Sequence, residues 1–138
     1  VEEISSEAVT KFKKQYPDMK VRVNVPEDLL MVPMDAVLIE QVLINIVLNA
    51  IDAVKDVDQP YISLEAVEFN GRIQVKINDN GVGMLPDIQE QIFTPFFTTK
   101  KSGNGIGLTL SKQIMLLHRG NLFIDSEFNK GSTFTLQF

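Results

Sequence analysis

The sequence predicts a two-layer α/β sandwich in which helices cover one face of a largely antiparallel sheet. Three observations favour this fold class: a long apolar stretch over residues 37–54, two alternating strands joined by Asn70-Gly71, and a second alternating pair at the end of the chain. The chain has 138 residues and shows no internal repeat or linker, so we expect residues 1–138 to form one domain.

The N-terminal third alternates between helical and extended patterns. Residues 4–16 have the spacing of an amphipathic helix, which Pro17 ends. Residues 21–25 alternate as a strand, and residues 31–32 are expected to form another short strand. The long apolar helix then begins near Asp35, because aspartate is a favourable N-cap residue.

Two hairpins are predicted further along the chain. The segments Tyr61–Phe69 and Arg72–Asp79 alternate and are separated by Asn-Gly, which favours a two-residue turn. Residues 122–125 and 133–138 have the pattern of the second hairpin. Hairpins of this kind build an antiparallel sheet.

The segment between the hairpins, residues 84–107, has two prolines and little periodicity. We expect a short helix near residues 87–92 inside an otherwise long loop, and loops of that size in compact domains are usually functional lids. A helix follows over residues 108–118 and ends at Gly120.

Composition excludes several classes of function. The net charge of −5 argues against broad nucleic-acid binding. There is no cysteine and only one histidine, His118, so thiolate and multi-histidine metal sites are excluded. Residues 37–54 are interrupted by charged and amide side chains, so we expect a core helix and not a membrane span. No signal-peptide pattern opens the sequence.

Polar residues form a stripe on the long apolar helix. Gln41, Asn45, Asn49 and Asp52 fall within an arc of about 80° at helical spacing. A helix that is apolar almost all round is buried, and buried amides need partners, so the stripe predicts a slot for a polar ligand. The alternative is the solvated face of a surface helix, although asparagine is a poor helix former that gains nothing there.

Asp79 closes a strand whose other inward residues are apolar. It shares a face with Ile77 and is followed by residues 80–83, Asn-Gly-Val-Gly. A carboxylate beside glycines suits the exocyclic amine of adenine, whereas the carbonyl of guanine would be repelled. The alternative is that Asp79 caps a turn, since Asp-Asn-Gly is common turn chemistry.

Residues 103–107, Gly-Asn-Gly-Ile-Gly, lead directly into a helix. Exposed amides at a helix N-terminus bind phosphate, and glycines permit close contact; the alternative is a flexible hinge. A loop and not a strand precedes the cluster, so it is no Rossmann fingerprint. The ammonium of Lys100 could reach a terminal phosphate, while Lys101 is expected to be solvated.

Four segments in this order resemble the catalytic, ATP-binding domain of bacterial sensor histidine kinases. Residues 45–50 resemble its N box, residues 79–84 its first glycine box, residues 93–97 its F box and residues 103–107 its second glycine box. The resemblance spans essentially the whole chain. It implies a mixed, mainly antiparallel five-stranded sheet packed against three helices, with ATP bound beneath a long lid.

The resemblance also implies roles for individual residues. Asn49 is the implied Mg²⁺ ligand, and one amide suffices because Mg²⁺ keeps waters and takes phosphate oxygens. Asn45 is the implied second polar contact near the phosphates, and it acts with Lys100 as a catalytic residue. The implied cofactor contacts are Asn49, Asp79, Gly81, Gly83, Thr99, Gly103, Asn104, Gly105, Ile106, Gly107 and Leu108.

The same resemblance favours a kinase over a hydrolase. Hydrolytic relatives carry a glutamate one turn before the magnesium asparagine, whereas this chain has Asn45, which is no general base. Many kinase members carry a basic residue and then an aromatic where this chain has Asp52 and Ala53, so Lys100 is the expected substitute for neutralising phosphate. His118 is expected to be structural and not the phosphate acceptor.

The implied activity is donation of the γ-phosphate of Mg²⁺-ATP to a histidine on a separate dimerisation and phosphoacceptor domain of the parent protein. The implied downstream partner is a response regulator, with no nucleic acid and no membrane contact by this domain. We expect a cytoplasmic domain whose parent could be membrane-anchored. The alternatives are a nucleotide-binding module without phosphotransfer and a serine-directed anti-sigma-type kinase of the same fold.

Overall fold

The computed structural model describes residues 34–94 and 107–138 in full and the backbone of residues 20–24. The elements are β1 (Lys20–Asn24), α1 (Ala36–Val54), β2 (Tyr61–Phe69), β3 (Arg72–Asp79), α2 (Pro86–Gln91), α3 (Gly107–Leu117), β4 (Asn121–Glu127) and β5 (Gly131–Gln137). The predicted helix over residues 4–16, the short strand at residues 31–32 and most of the predicted lid lie outside the described residues.

The strands form one sheet in the order β1-β2-β3-β5-β4. The strand β1 runs parallel to β2, and β2 to β5 pair with antiparallel neighbours. Alternate residues of β2, β3 and β5 are buried, as in a sheet covered on one face. The helices α1 and α3 pack together and contact the sheet. The predicted α/β sandwich of helices on antiparallel strands is confirmed.

The helix α1 is the central core element. It is capped by Asp35, whose Oδ1 accepts the backbone N–H groups of Val37 and Leu38, each at 3.1 Å. Val42 is fully buried at 0 % exposure, but Val37 is 77 % and Leu48 is 39 % exposed. The expectation that this helix is buried all round is therefore wrong, because the sheet and α3 cover only part of its circumference.

Among the described residues, α1 is also the one helix long and apolar enough to cross a membrane by length and composition. Its buried side packs on β2, β3 and β5 and against α3. The core of the sandwich therefore accounts for its apolar composition.

The first hairpin has the predicted boundaries. Asn70 and Gly71 adopt φ angles of 52° and 74°, and Phe69 pairs directly with Arg72. Two consecutive positive φ angles are the geometry of the tight turn that Asn-Gly favours. The turn sets the register that places Asp79 opposite Ile62 at the far end of the strand pair.

The second hairpin is longer than predicted. Its strands extend into polar residues, where Ser126 pairs with Ser132 and their hydroxyl oxygens lie 2.7 Å apart. Apolar alternation cannot reveal this extension, because the added pair is joined by hydroxyl groups. The extension brings Ser132 opposite Asp79 on β3.

Candidate functional site

A cavity of about 240 Å³ lies at the end of β3, between α1, α2 and the start of α3. Four predicted site residues line it: Asn49, Asp79, Gly83 and Leu108. Its other lining residues are mostly apolar on the α2 side and charged on the α1 side; they are Asp52, Ala53, Lys55, Asp56, Val82, Met84, Ile88, Ile92, Ser132 and Phe134. The structure thus gathers part of the predicted site around one cavity.

Asp79 is the buried acid of this cavity. Its residue is only 9 % exposed, and its Oδ1 accepts the backbone N–H of Gly81 at 2.9 Å. Burial raises the pKa of Asp79 above its usual range, and hydrogen bonds from the backbone of Gly81 and Ser132 offset part of that rise. Asp79 therefore caps the turn, as the alternative interpretation proposed, and also lines the cavity.

The two glycines after Asp79 are required by the packing of the protein itself. A Cβ on Gly81 would lie 2.5 Å from the carbonyl oxygen of Ala53 on α1. Gly83 has a φ of +66°, and a Cβ there would collide with the carbonyl of Glu127. These contacts bring the loop after β3 against α1 and the second hairpin. That the glycines also lie beside a base stays a prediction.

Asn45 joins α1 to the first turns of α3. Its Nδ2 donates to Gly107 O and to Ser111 Oγ, each at 3.2 Å, and its Oδ1 accepts from Gln41 Nε2 at 3.0 Å. Gly107 O also accepts from Ser111 Oγ at 2.8 Å. The amide of Asn45 is therefore engaged within the protein, as the need to pair a half-buried amide requires.

Asn49 lies one turn further along α1 and lines the cavity. Its Nδ2 donates to Asn45 O at 2.9 Å. The other polar atom of the amide is its oxygen, Oδ1, and an oxygen is the atom that a cation would bind. Among the described residues, no group of three or more His, Cys, Asp or Glu side chains could hold a metal ion. A Mg²⁺ ion at Asn49 would therefore need oxygen ligands from a bound phosphate and water.

Two charged residues at the rim of the cavity, at the C-terminal end of α1, form an ion pair. Lys55 Nζ lies 3.4 Å from Asp52 Oδ1, and the two side chains are 64 % and 40 % exposed. Asp52 stands where the resemblance leads one to expect a base, and Lys55, three residues later, supplies a cation at the same rim. Sequence reasoning missed Lys55, although its helical spacing from Asp52 is a readable signal.

The residues that line the cavity on its α2 side and at its floor were not predicted from the sequence either. Ile88 and Ile92 have the i, i+4 spacing of a helix face. Two residues at this spacing in a short segment are too few to predict which face is buried. Ser132 and Phe134 reach the cavity from β5. Nothing in the local sequence links β5 to Asp79, because the strand register determines that proximity.

Several predicted site residues lie outside the described residues. These are Thr99, Lys100, Gly103, Asn104, Gly105 and Ile106. Gly107 and Leu108 are described: Gly107 begins α3 and bonds Asn45 through its carbonyl, and Leu108 lines the cavity. The phosphate-binding role of the cluster stays a prediction.

His118 has two structural hydrogen bonds. Its Nε2 accepts the backbone N–H of Asp35 at 3.0 Å, and its Nδ1 lies 2.8 Å from Ile114 O. With Nε2 as the acceptor, the ring hydrogen is assigned to Nδ1, which then donates to Ile114 O. His118 therefore holds the end of α3 to the start of α1, which agrees with its expected structural role.

The fold and the cavity together define a class of domain: an α/β sandwich with a buried carboxylate at the end of its central strand. The chain belongs to the family of histidine kinase-, DNA gyrase B- and HSP90-like ATPases, whose family model matches residues 34–138.

Its relatives include sensor proteins and histidine kinases. The chain is 36 % identical over 116 residues to the C4-dicarboxylate transport sensor protein DctB of Rhizobium meliloti, covering 84 % of this chain and 18 % of DctB. It is 41 % identical over 103 residues to the signal transduction histidine-protein kinase AtoS of Escherichia coli, covering 74 % of this chain and 17 % of AtoS. The chain thus spans less than a fifth of these two relatives.

A solved structure gives the same assignment. The nucleotide-free catalytic domain of histidine kinase ThkA matches with a TM-score of 0.87 and 27 % identity, over 100 % of this chain and 91 % of that domain. The resemblance to the catalytic, ATP-binding domain of a sensor histidine kinase is therefore confirmed.

Proposed function

We propose that this domain binds Mg²⁺-ATP in the cavity at the end of β3 and donates the γ-phosphate to a histidine of a separate phosphoacceptor domain. The observation that carries this proposal is the pairing in one cavity of Asp79, a buried carboxylate, with Asn49, an amide on the facing helix. Family membership supports ATP as the ligand.

Asp79 and the floor of the cavity are proposed to hold the adenine. A carboxylate accepts a hydrogen from the exocyclic amine of adenine, and the apolar side chains of Met84, Ile88 and Phe134 offer surfaces for the flat ring. Guanine would present a carbonyl oxygen to Asp79, and two acceptors would face one another. The domain should therefore prefer ATP to GTP.

The phosphates are proposed to extend from Asp79 toward Asn49 and the start of α3. A bound Mg²⁺ supplies charge neutralisation for the phosphates, and Asn49 would hold it through the amide oxygen. Lys100 and Thr99 are proposed to contact the terminal phosphates, with Gly103, Asn104, Gly105, Ile106 and Gly107 wrapping them. Lys55 at the rim adds a further cation near Asp52.

Phosphate donation is favoured over hydrolysis because an amide, and not a carboxylate, stands where the hydrolytic relatives have their base. Asn45 stands at the position of the hydrolytic glutamate, and its amide bonds Gly107 and Ser111. An amide does not accept a proton at neutral pH, so water attack should be slow and the nucleotide persists until a better nucleophile arrives.

The parent protein supplies the other participants of the proposed reaction. Its relatives carry sensor and histidine kinase in their names, which supports a histidine-bearing phosphoacceptor domain as the acceptor and a response regulator as the next recipient. We propose that the domain works in the cytoplasm, where ATP is available. No nucleic acid takes part.

Calorimetric titration of the chain with ATP and GTP, with and without Mg²⁺, tests this proposal. Wild type should bind ATP more tightly than GTP, and Asp79→Asn should lose about 10- to 100-fold in ATP affinity, the value of a hydrogen bond to a charged group. Asp125→Asn, an exposed aspartate on β4, is the matched control. Equal affinities for ATP and GTP in wild type would refute the proposal that Asp79 recognises the adenine base.

A second experiment separates the kinase from a silent binding module. In wild type and Lys100→Ala, the affinity for ADP and the rate of phosphate transfer to a histidine-bearing hairpin are compared. Loss of transfer with retained ADP affinity is expected, because a lysine at the terminal phosphate acts mainly on the transferred group. Tight ATP binding by wild type without any transfer would favour the binding module.

A further inference from the structure

Lys112 on α3 has an environment that the proposed reaction does not explain. Its Nζ donates to Leu122 O at 2.9 Å and lies 4.9 Å from the ring centroid of Phe93 and 5.8 Å from that of Phe123. Both distances are within the range of cation–π attraction, and the shorter one makes Phe93 the main ring partner. Burial lowers the pKa of Lys112, so the protein keeps a partly desolvated cation at this point.

Phe93 stands two residues beyond α2, which lines one side of the cavity through Ile88; Ile92, directly after the helix, lines it too. The helix α2 has only six residues, none of them buried, and its N-cap residue makes no side-chain hydrogen bond. A helix this short does not hold its own geometry in water. Its position against the cavity therefore depends on contacts with the rest of the protein.

The first end of α2 is attached to the second hairpin. Gln89 Nε2 donates to Met84 O at 3.1 Å and to Ser126 O at 2.9 Å, and Met84 N donates to Ser126 Oγ at 2.8 Å. These bonds fix the residues before α2 and Gln89, the fourth residue of the helix, to β4. They leave the C-terminal end, where Ile92 reaches the cavity, to other contacts.

The second end of α2 is attached to α3 at Phe93. Thr109 Oγ1 donates to Phe93 O at 3.1 Å, and the ammonium of Lys112 lies over the Phe93 ring. Thr109 and Lys112 are three residues apart on α3 and so share a face. One bonds the backbone of Phe93 and the other faces its ring.

We propose that Lys112 is a positioning residue of the nucleotide cavity: its ammonium holds the ring of Phe93 and thereby keeps the C-terminal end of α2, with Ile92, against the cavity. The contact itself is independent of any ligand, whereas its effect on nucleotide affinity rests on the proposed function. Loss of the ammonium should loosen α2 selectively and weaken nucleotide binding through that helix.

Two readouts test this in the 138-residue chain. Hydrogen exchange of the amides of residues 88–94 reports the position of α2, and titration with Mg²⁺-ADP reports the cavity. The variants are Lys112→Met, which keeps the length and loses the charge, and Lys112→Arg, which keeps a cation over the ring. The control is Lys130→Met, because Lys130 pairs with Glu127 at 3.1 Å, is 72 % exposed and has no ring contact among the described residues.

In Lys112→Met, exchange of residues 88–94 and the dissociation constant of Mg²⁺-ADP should each rise about 3- to 10-fold, as expected for loss of a partly desolvated cation–π contact. Exchange of the amides of β2 and β3 should be unaffected. Lys112→Arg should keep most of the wild-type protection and ADP affinity, and Lys130→Met should resemble wild type. In the cycle with Phe93→Leu, the double variant should be little worse than either single variant.

Unchanged exchange of residues 88–94 in Lys112→Met would overturn the inference, whatever the nucleotide affinity. Faster exchange with unchanged ADP affinity would overturn the link between α2 and the cavity. Additive effects of the Lys112 and Phe93 variants would show that the ring is not the partner. Absence of ADP binding by wild type would instead refute the proposed function, while the exchange data would still decide the contact.

Discussion

The two halves of α1 carry the same kind of polar side chain and use it differently. In the N-terminal half, the amide of Asn45 bonds to Gly107 and Ser111 of α3. In the C-terminal half, Asn49 faces the cavity. The helix α3 begins opposite Asn45, and its second residue, Leu108, lines the same cavity as Asn49. Among the described residues, the amide stripe therefore packs on α3 at Asn45 and lines the cavity at Asn49.

The largest effect that would sharpen this contrast is expected from Asn49→Ala. Removing the only amide oxygen proposed for Mg²⁺ should abolish the Mg²⁺ dependence of ATP affinity and lower phosphate transfer by about 100-fold or more, since positioning and charge neutralisation dominate this chemistry. Titration of ATP with and without Mg²⁺ checks this. A variant that keeps the full Mg²⁺ effect would remove Asn49 from the proposed site.

Asn45→Ala should have its main effect on stability instead. The change leaves Gly107 O and Ser111 Oγ without their amide donor at the junction of α1 and α3. We expect the free energy of unfolding in urea to fall by about 1–3 kcal/mol, the cost of partly buried groups that lose a partner. Gln41→Ala, on the exposed side of the same network, should cost less.

The contrast would break if the two asparagines behaved alike. A stability loss for Asn49→Ala as large as that for Asn45→Ala would mean that both halves of α1 are structural. A loss of Mg²⁺-ATP affinity in Asn45→Ala as large as that in Asn49→Ala would mean that both belong to the site.

The pH dependence of stability should report the cost of burying Asp79 in the cavity. Its pKa is raised in the folded state, mainly by burial, so the folded state binds the proton more tightly than the unfolded chain does. The stabilising proton is present below the unfolded pKa of about 3.9 and is lost as pH rises through the folded pKa. As the pH rises from the unfolded pKa through the folded pKa of Asp79, wild type should therefore lose stability relative to Asp79→Asn.

Unfolding of both proteins across pH 3 to 8, a range that spans about one unit below the ordinary aspartate pKa to well above it, measures this difference. At neutral pH Asp79→Asn should be as stable as wild type or more stable, although it binds ATP less tightly. A variant that is less stable at neutral pH and equally stable in acid would show that Asp79 serves the fold and not the ligand.

The smallest effect is expected at the rim of the cavity. Lys55 and Asp52 form an exposed pair, so Lys55→Ala should change the free energy of unfolding by no more than about 0.5 kcal/mol. Its affinity for ATP should fall a few-fold if the cation faces phosphate. Lys130→Ala, which loses a comparable exposed pair with Glu127, is the control and should leave ATP affinity unchanged.

Local patterns predicted most of the described fold. The Asn70-Gly71 turn and the N-cap at Asp35 are determined by neighbouring residues, so their signals can be read without tertiary information. The extension of the second hairpin could not be predicted, because Ser126 and Ser132 bond through hydroxyl groups and not through apolar alternation.

The site was predicted less completely than the fold. Asn49 and Asp79 stand out because polar groups interrupt apolar patterns there. The different surroundings of Asn45 and Asn49 depend on where α3 begins, and the proposed support of Ile92 depends on the contact between Lys112 and Phe93. Such long-range packing leaves no periodic signal in the sequence.

The most direct measurement of the central claim is transfer of labelled phosphate from γ-labelled ATP. The chain is mixed with the histidine-bearing hairpin of its parent protein in the presence of Mg²⁺. We predict an acid-labile, base-stable phosphate on the hairpin and almost none with Asn49→Ala, while Asn45→Ala keeps a larger share of the activity. Binding of Mg²⁺-ATP without any labelled hairpin, or release of free phosphate in its place, would contradict the account.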